Sequence, residues 1–453
     1  MTRYFVGLSL ALALGVIGCS ETAGTGGSGG LGGDGGDGGS AGSGGGGGSA
    51  GSGGDGGTAG SGGRGGSAGS GGDGGAGGGT GDPFPCTEQG IREAIDAGGG
   101  PHYFACDGTS PVVTQAEILI DNDIILDGEG KLTVDGNEDH RVFFVLLGVT
   151  AELRGFTIVD GLAIGEDGGG IRNWGTLDLV DSTVSGNEAR QACDPLCRGG
   201  KGGGIATTEG ITTLTNSTLS HNIADQGGGI SIDGNPFDSG PIVTLTNSTV
   251  SGNVARNASV PSDLADRGGG IRLTFSTLTM INSTVSGNTA DETGGGIDSY
   301  FGRATLMNLT VSGNTGGAIR AVQQAPNYSL TLARSLVDGR CELEDILGSV
   351  AVSNGYNIES PDDTCAFDQV TDNSQKTAEE LNLGALQDNG GPTMTHALLT
   401  DPIISVAVDQ IPEADCVGSY DLPLTEDQRG EPRPAGAESK CDVGSFEVQE
   451  EGE

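Results

Sequence analysis

The chain runs to 453 residues, enough for a large core, but 90 of them are Gly and only 4% are aromatic. Asp and Glu number 61 against 21 Lys and Arg, a formal charge of −40. Such a surface repels nucleic acid, anionic headgroups and phosphate-rich glycans, and leaves weak Ca²⁺ binding as the only cofactor expectation.

Residues 1–18 read as a processed leader rather than as fold. Arg3 supplies the positive start, and Tyr4 to Ile17 is apolar but too short to span a bilayer comfortably. The stretch Val16-Ile17-Gly18-Cys19 resembles the bacterial lipobox. That resemblance implies cleavage before Cys19 and acylation of its sulfur and new amine. Several acyl chains, at roughly 0.8 kcal/mol per buried CH₂, would then hold the protein on a membrane. Ser20 follows, not Asp, which for such lipoproteins favours the outer membrane. The expectation is an exported, lipid-anchored protein at the outer membrane or cell surface.

Residues 19–82 form a linker. Four nonapeptides of the type SAGSGGDGG run from Ser40 to Gly75. They carry no large apolar residue and cannot offset the entropy of ordering, so a disordered spacer is expected, with a reach of about 40–45 Å. The calcium-binding nonapeptide of RTX proteins needs an apolar residue in each repeat, and these have none.

Nine cysteines less Cys19 leave eight. Eight allow many connectivities, but local spacing favours Cys86–Cys106, Cys193–Cys197, Cys341–Cys365 and Cys416–Cys441, in keeping with an oxidising compartment. No His lies near Cys193 and Cys197, which argues against zinc there, and no metal site is expected.

From about Leu153 the chain repeats itself. GGGI occurs at Gly168–Ile171, Gly202–Ile205, Gly227–Ile230, Gly268–Ile271 and Gly294–Ile297, with GGAI at Gly316–Ile319. A second element, DSTVSGN at Asp181–Asn187, returns from Asn216, Asn247, Asn282 and Asn308. Spacing varies from 22 to 41 residues, almost all of it between SGN and the next GGG. A variable loop at one corner of a constant coil is the signature of a solenoid. Within each copy Leu179, Leu214, Leu245, Met280 and Leu306, then Val184, Leu219, Val250, Val285 and Val311, alternate with Ser and Thr. This is the period of short strands, stacked parallel about 4.8 Å apart. The closing Asn187, Asn222, Asn253, Asn288 and Asn314 are expected at turns, where Asn tolerates positive φ, and to stack as an amide ladder. The sequons at Asn216, Asn247, Asn282 and Asn308 read as ladder positions rather than glycan acceptors.

The pattern resembles the right-handed parallel β-helix proteins, and most nearly bacterial surface proteins whose GGAI-type repeats are like those of polymorphic outer-membrane proteins. The resemblance covers roughly Cys86 to Glu447. Ile91-Arg92-Glu93-Ala94-Ile95 after Cys86 is similar to the CSLREA motif. Leu386–Thr393, Thr395–Leu399, Asp427–Gly430 and Cys441–Glu447 are similar to the choice-of-anchor-Q domain. It implies an all-β, right-handed single-stranded parallel β-helix with a short N-terminal capping helix. The boundaries become 83–118 for an N-terminal cap, 119–360 for the repeats and 361–453 for a C-terminal capping region.

For function, the clustered Asp with G-H-G and R-x-K of β-helix hydrolases is absent, and no catalytic residue is assigned. If each GGGI Ile points inward, the next residue and the one two further on point out. That row holds Arg172, Arg272, Asp298 and Arg320 beside Trp174 and Tyr300, a candidate ligand face whose aromatics suit sugar rings. His221 and His396 read as structural. The expectation is a monomeric, surface-displayed and non-enzymatic adhesion or binding scaffold meeting a protein or glycan ligand. The alternative is a carbohydrate-binding or polysaccharide-cleaving, pectate-lyase-like β-helix.

Overall fold

The computed structural model describes residues 82–192, 200–237, 240–256, 267–323, 329–345, 351–418, 422–436 and 439–449. Cys19, the Gly-rich linker and the Cys193–Cys197 pair lie outside them.

One coil shows how the repeat folds. Ile205–Thr207 forms the first strand, Ile211–Thr215 and Thr218–Ser220 the next two, and Ile223–Ala224 the last. Each strand then pairs in parallel with its counterpart one repeat on: Ile205 with Ile230, Leu214 with Leu245, Leu219 with Val250 and Ala224 with Ala255. Repetition builds three parallel sheets, of 18, nine and five strands among the described residues. The chain is a right-handed parallel β-helix, the crossover hand that parallel strands favour.

The inward columns are what the alternation demands. Ile171, Ile205, Ile230, Ile271, Ile297 and Ile319 are fully buried, and so are Val184, Leu219, Val250, Val285 and Val311. Each contributes about 1.5–3 kcal/mol by leaving water. The glycine triplet is required by crowding. Gly202 has φ 66°, and a Cβ on Gly203 or Gly204 would stand 2.3 or 2.7 Å from a backbone oxygen of a neighbouring segment. No side chain fits there.

The closing asparagines form the expected ladder. Asn222 donates to Oδ1 of Asn253 at 3.0 Å, and Asn253 to Asn288 at 2.9 Å, all three fully buried. Their backbone differs from expectation. Positive φ falls instead on the residue before, Gly186 at 71° or His221 at 56°, and on the sequon residues Asn216, Asn247, Asn282 and Asn308 at 50–53°. The left-handed bend sits where the strand leaves the sheet, and burial of the ladder amide needs only the position after it.

The N-terminal end is closed by the helix Glu88–Ala97, capped by Thr87 and burying Ile91, Ala94 and Ile95 against the first coils. Cys86–Cys106 and Cys341–Cys365 staple the two ends, with S–S distances of 1.98 and 2.00 Å, and Cys416–Cys441 also forms. The C-terminal region is not wholly an end cap, which corrects the expectation for 361–453. Cys365 and Phe367 close the last coil. Residues 377–418, 422–436 and 439–449 instead turn back along the flank as a strap with its own small core, including Leu381, Leu398, Ile411 and Val443, seated on Leu336 and Ile358. Polar contacts extend the strap across earlier coils. Thr249 donates to the Met394 carbonyl at 2.6 Å, Thr284 to Gln428 at 2.6 Å, and Ser445 to Thr310 at 3.1 Å. The threonine row that these hydroxyls belong to is thus buried in part by the chain's own tail.

Candidate functional site

The outward face of the nine-stranded sheet carries the residues singled out above. Its register is Leu119, Phe144, Arg172, Ala206, Ser231, Arg272, Asp298, Arg320 and Glu342 on successive rungs. Trp174, Thr208, Asp233, Thr274, Tyr300, Val322 and Glu344 follow two positions on.

Most of this row is not an open face, which corrects the sequence expectation. Arg272 is 8% exposed, Asp298 0% and Arg320 5%. Asp298 sits between two guanidinium groups, 2.8 Å from Arg320 Nη1 and 3.4 Å from Arg272 Nε, and Arg320 reaches Glu344 at 2.9 Å. The turn before each glycine triplet folds over the row. Gln226 accepts from Arg272, and the Cα positions of Gly268 and Gly294 lie so close that a Cβ would come within 2.7 and 2.9 Å of the Arg272 and Asp298 side chains. Charges taken out of water persist only when paired, so the row reads as a sealed ion chain. Tyr300 is half-buried, with its ring 4.2 Å from Phe301, which stacks on Phe275. It is also four rungs from Trp174, about 19 Å at the usual strand spacing. The six residues do not make one patch.

The other end of the row is open. Arg172 and Trp174 are half-buried, and Phe144 joins them from the preceding coil. The Phe144 and Trp174 rings meet edge to face at 4.8 Å and 87°. The Arg172 guanidinium lies 4.6 Å from the Trp174 centroid and 5.5 Å from that of Phe144. Glu166 bridges two cations, 2.7 Å from Arg141 and 3.4 Å from Arg172. Its hydrogen bond from Arg141 holds its carboxyl below the usual range against the cost of burial. Leu119 and Leu147, 38% and 66% exposed, flank the corner.

Between the two ends Ala206 is buried, and Asp167, Lys201 and Asp233 form a charged cluster beside it. Lys201 bonds Asp233 at 2.9 Å through Nζ, and its backbone N–H donates to Asp167 at 3.0 Å. Burial raises the Asp167 pKa. Burial also works against the Asp233 anion, but Lys201 and Arg272 outweigh it and hold that group low. Among the described residues no three His, Cys, Asp or Glu side chains converge as metal ligands.

Phe144 and Glu166 were not singled out from the sequence. The coil of Phe144 has no GGGI to set its register, and the unbroken apolar run Val142–Leu147 shows no alternation that would place Phe144 outward.

Fold and face together define a parallel β-helix with one open aromatic–cation corner on an otherwise sealed charged row. No family model and no curated protein matches the chain. Among solved structures it is similar to the crystal structure of the pectate lyase Pel9A, at 13% identity over 78% of this chain and 90% of that one, with a TM-score of 0.40. A likeness of this degree transfers neither residues nor activity.

Proposed function

We propose that the chain is a lipid-anchored binding scaffold of the outer membrane or cell surface, whose β-helix holds a glycan at the Phe144–Arg172–Trp174 corner. The observation that carries this reading is the contrast within one row. Arg272, Asp298 and Arg320 pair with one another under cover, whereas Phe144 and Trp174 stay half-exposed beside a guanidinium with a 3.4 Å contact to carboxylate. Ring faces suit the C–H faces of sugars, and Arg172 and Glu166 offer a donor and an acceptor beside them. The GGGI repeats and the Cys19 lipobox support display at a surface, and the linker gives the helix reach.

The test is a glycan array probed with the intact chain, with and without Ca²⁺, followed by Trp174→Ala and Phe144→Ala. Retention should fall in both variants while the melting temperature holds. Unchanged retention in both would remove this corner as the ligand site. Release of soluble products from a bound polysaccharide would replace binding by cleavage. Fractionation of Cys19→Ala checks the anchor, since the protein should leave the membrane fraction.

A further inference from the structure

A groove lies on the 18-stranded sheet beside Gly418 of the strap. The outward row of the 18-stranded sheet runs Thr279, Thr305, Thr331 and Val352 on successive rungs. Three steps at the usual strand spacing make a floor about 14 Å long. The hydroxyls of these three threonines make no hydrogen bond among the described residues. Asn308 pins the strap alongside by donating to the Val417 carbonyl at 3.1 Å. The next residue, Gly418, has no side chain to fill the space beside the floor. The result is an open groove of about 850 Å³ that Asn354 and Gln369 also line.

The same strap shows what this kind of surface binds. One row over, the hydroxyls of Thr249, Thr284 and Thr310 are met by a carbonyl, an amide and a hydroxyl of the strap. The groove floor offers the same chemistry to something else. Met307 and Val352, the latter 45% exposed, add an apolar strip beside the hydroxyls. The lining holds one ionisable side chain, Arg334, which is only 8% exposed.

We infer that this groove is a binding site for a neutral oligosaccharide segment lying along the helix axis. Alternating hydroxyls and C–H faces match a floor of hydroxyls and an apolar strip, and the volume is that of an ordinary ligand site. An anionic chain would meet a protein of charge −40 without an exposed counter-charge in the groove. An added peptide strand needs an unpaired sheet edge, whereas this floor is a sheet face whose backbone is already paired. The inference shares its ligand class with the reading of the Trp174 corner but rests on none of its residues.

The experiment is affinity electrophoresis of the intact chain in gels containing dextran, xylan or galactomannan, with polygalacturonate as the anionic contrast. At least one neutral polymer should retard the protein. Thr305→Trp, which fills the groove, should weaken retardation at least about tenfold, since a blocked pocket excludes its ligand. Thr331→Val, which removes one hydroxyl and keeps the shape, should weaken it a few-fold. Both groove variants should weaken it more than Trp174→Ala does, and Ile404→Ser, 63% exposed and outside both sites, should leave it unchanged. Circular dichroism and melting of each variant establish that the fold is intact. Retardation insensitive to both groove variants, retardation by polygalacturonate alone, or no retardation by any neutral polymer would each overturn the inference. Loss in Trp174→Ala alone would assign the glycan to the other corner and overturn the groove while leaving the corner standing.

Discussion

The two ends of the charged row use the same residue types for opposite purposes. At the sealed end Asp298 is fully buried between Arg272 and Arg320. At the open end Glu166, 58% exposed, lies between Arg141 and Arg172. A carboxylate between two guanidinium groups is therefore not itself a functional sign; what differs is whether water reaches it. The largest expected effect tests this. Asp298→Ala would leave two buried guanidinium groups without their shared partner, and should destabilise the helix by about 3–5 kcal/mol. Denaturant unfolding monitored by circular dichroism measures it. A loss below about 1 kcal/mol, the range of a surface pair, would mean that solvent reaches this end too, and the comparison would collapse.

Much of the fold was legible because its determinants are local and repeated. The columns from Ile171 to Ile319 and from Val184 to Val311 follow from period-two alternation registered by GGGI, and the amide ladder from the repeated closing Asn. The site was only partly legible. Arg172 and Trp174 point outward as the alternation requires, but exposure depends on what the turn before each triplet folds over, and no periodicity encodes that. The strap was invisible for a related reason. Its contacts join residues far apart in sequence, such as Gln428 with Thr249 at a separation of 179, and a threonine row looks the same in sequence whether the tail covers it or not.

A third buried cluster lets the comparison be sharpened by pH. In the strap, Glu447 pairs with Arg433 at 3.3 Å, with Asp442 close by. Burial, with help from Asp442 and against the pull of Arg433, pushes the Glu447 carboxyl up to about 8. The unfolded chain releases that proton near 4.5. Between these values the folded protein holds a proton that the unfolded chain does not, so this group makes stability fall as pH rises from about 4.5 to about 8. The slope can reach about 1.4 kcal/mol per pH unit. Glu447→Gln should abolish it, seen as a flatter difference between pH 5 and 8 in unfolding free energy. His396 acts in the other direction. Burial lowers its pKa, so it adds stability that is lost as pH drops below the unfolded value near 6.5, and His396→Gln should remove that acid-side loss.

The smallest effect on stability belongs to Glu166, and there the comparison turns from folding to binding. Its carboxylate is mostly in water, so solvent screening limits its pairs to about 1 kcal/mol at most. Glu166→Gln should therefore barely move the unfolding midpoint. Yet Glu166 is the contact that holds the Arg172 guanidinium at 3.4 Å while it lies over the Trp174 ring. Weakening that contact frees the guanidinium to leave the ring, which changes how much aromatic surface a ligand meets. Glycan retention should shift measurably in Glu166→Gln while stability does not, the reverse of the outcome for Asp298→Ala, in which stability is lost first. If Glu166→Gln instead costs as much stability as Asp298→Ala, the open corner is as structural as the sealed end, and the ligand must be sought elsewhere on the helix.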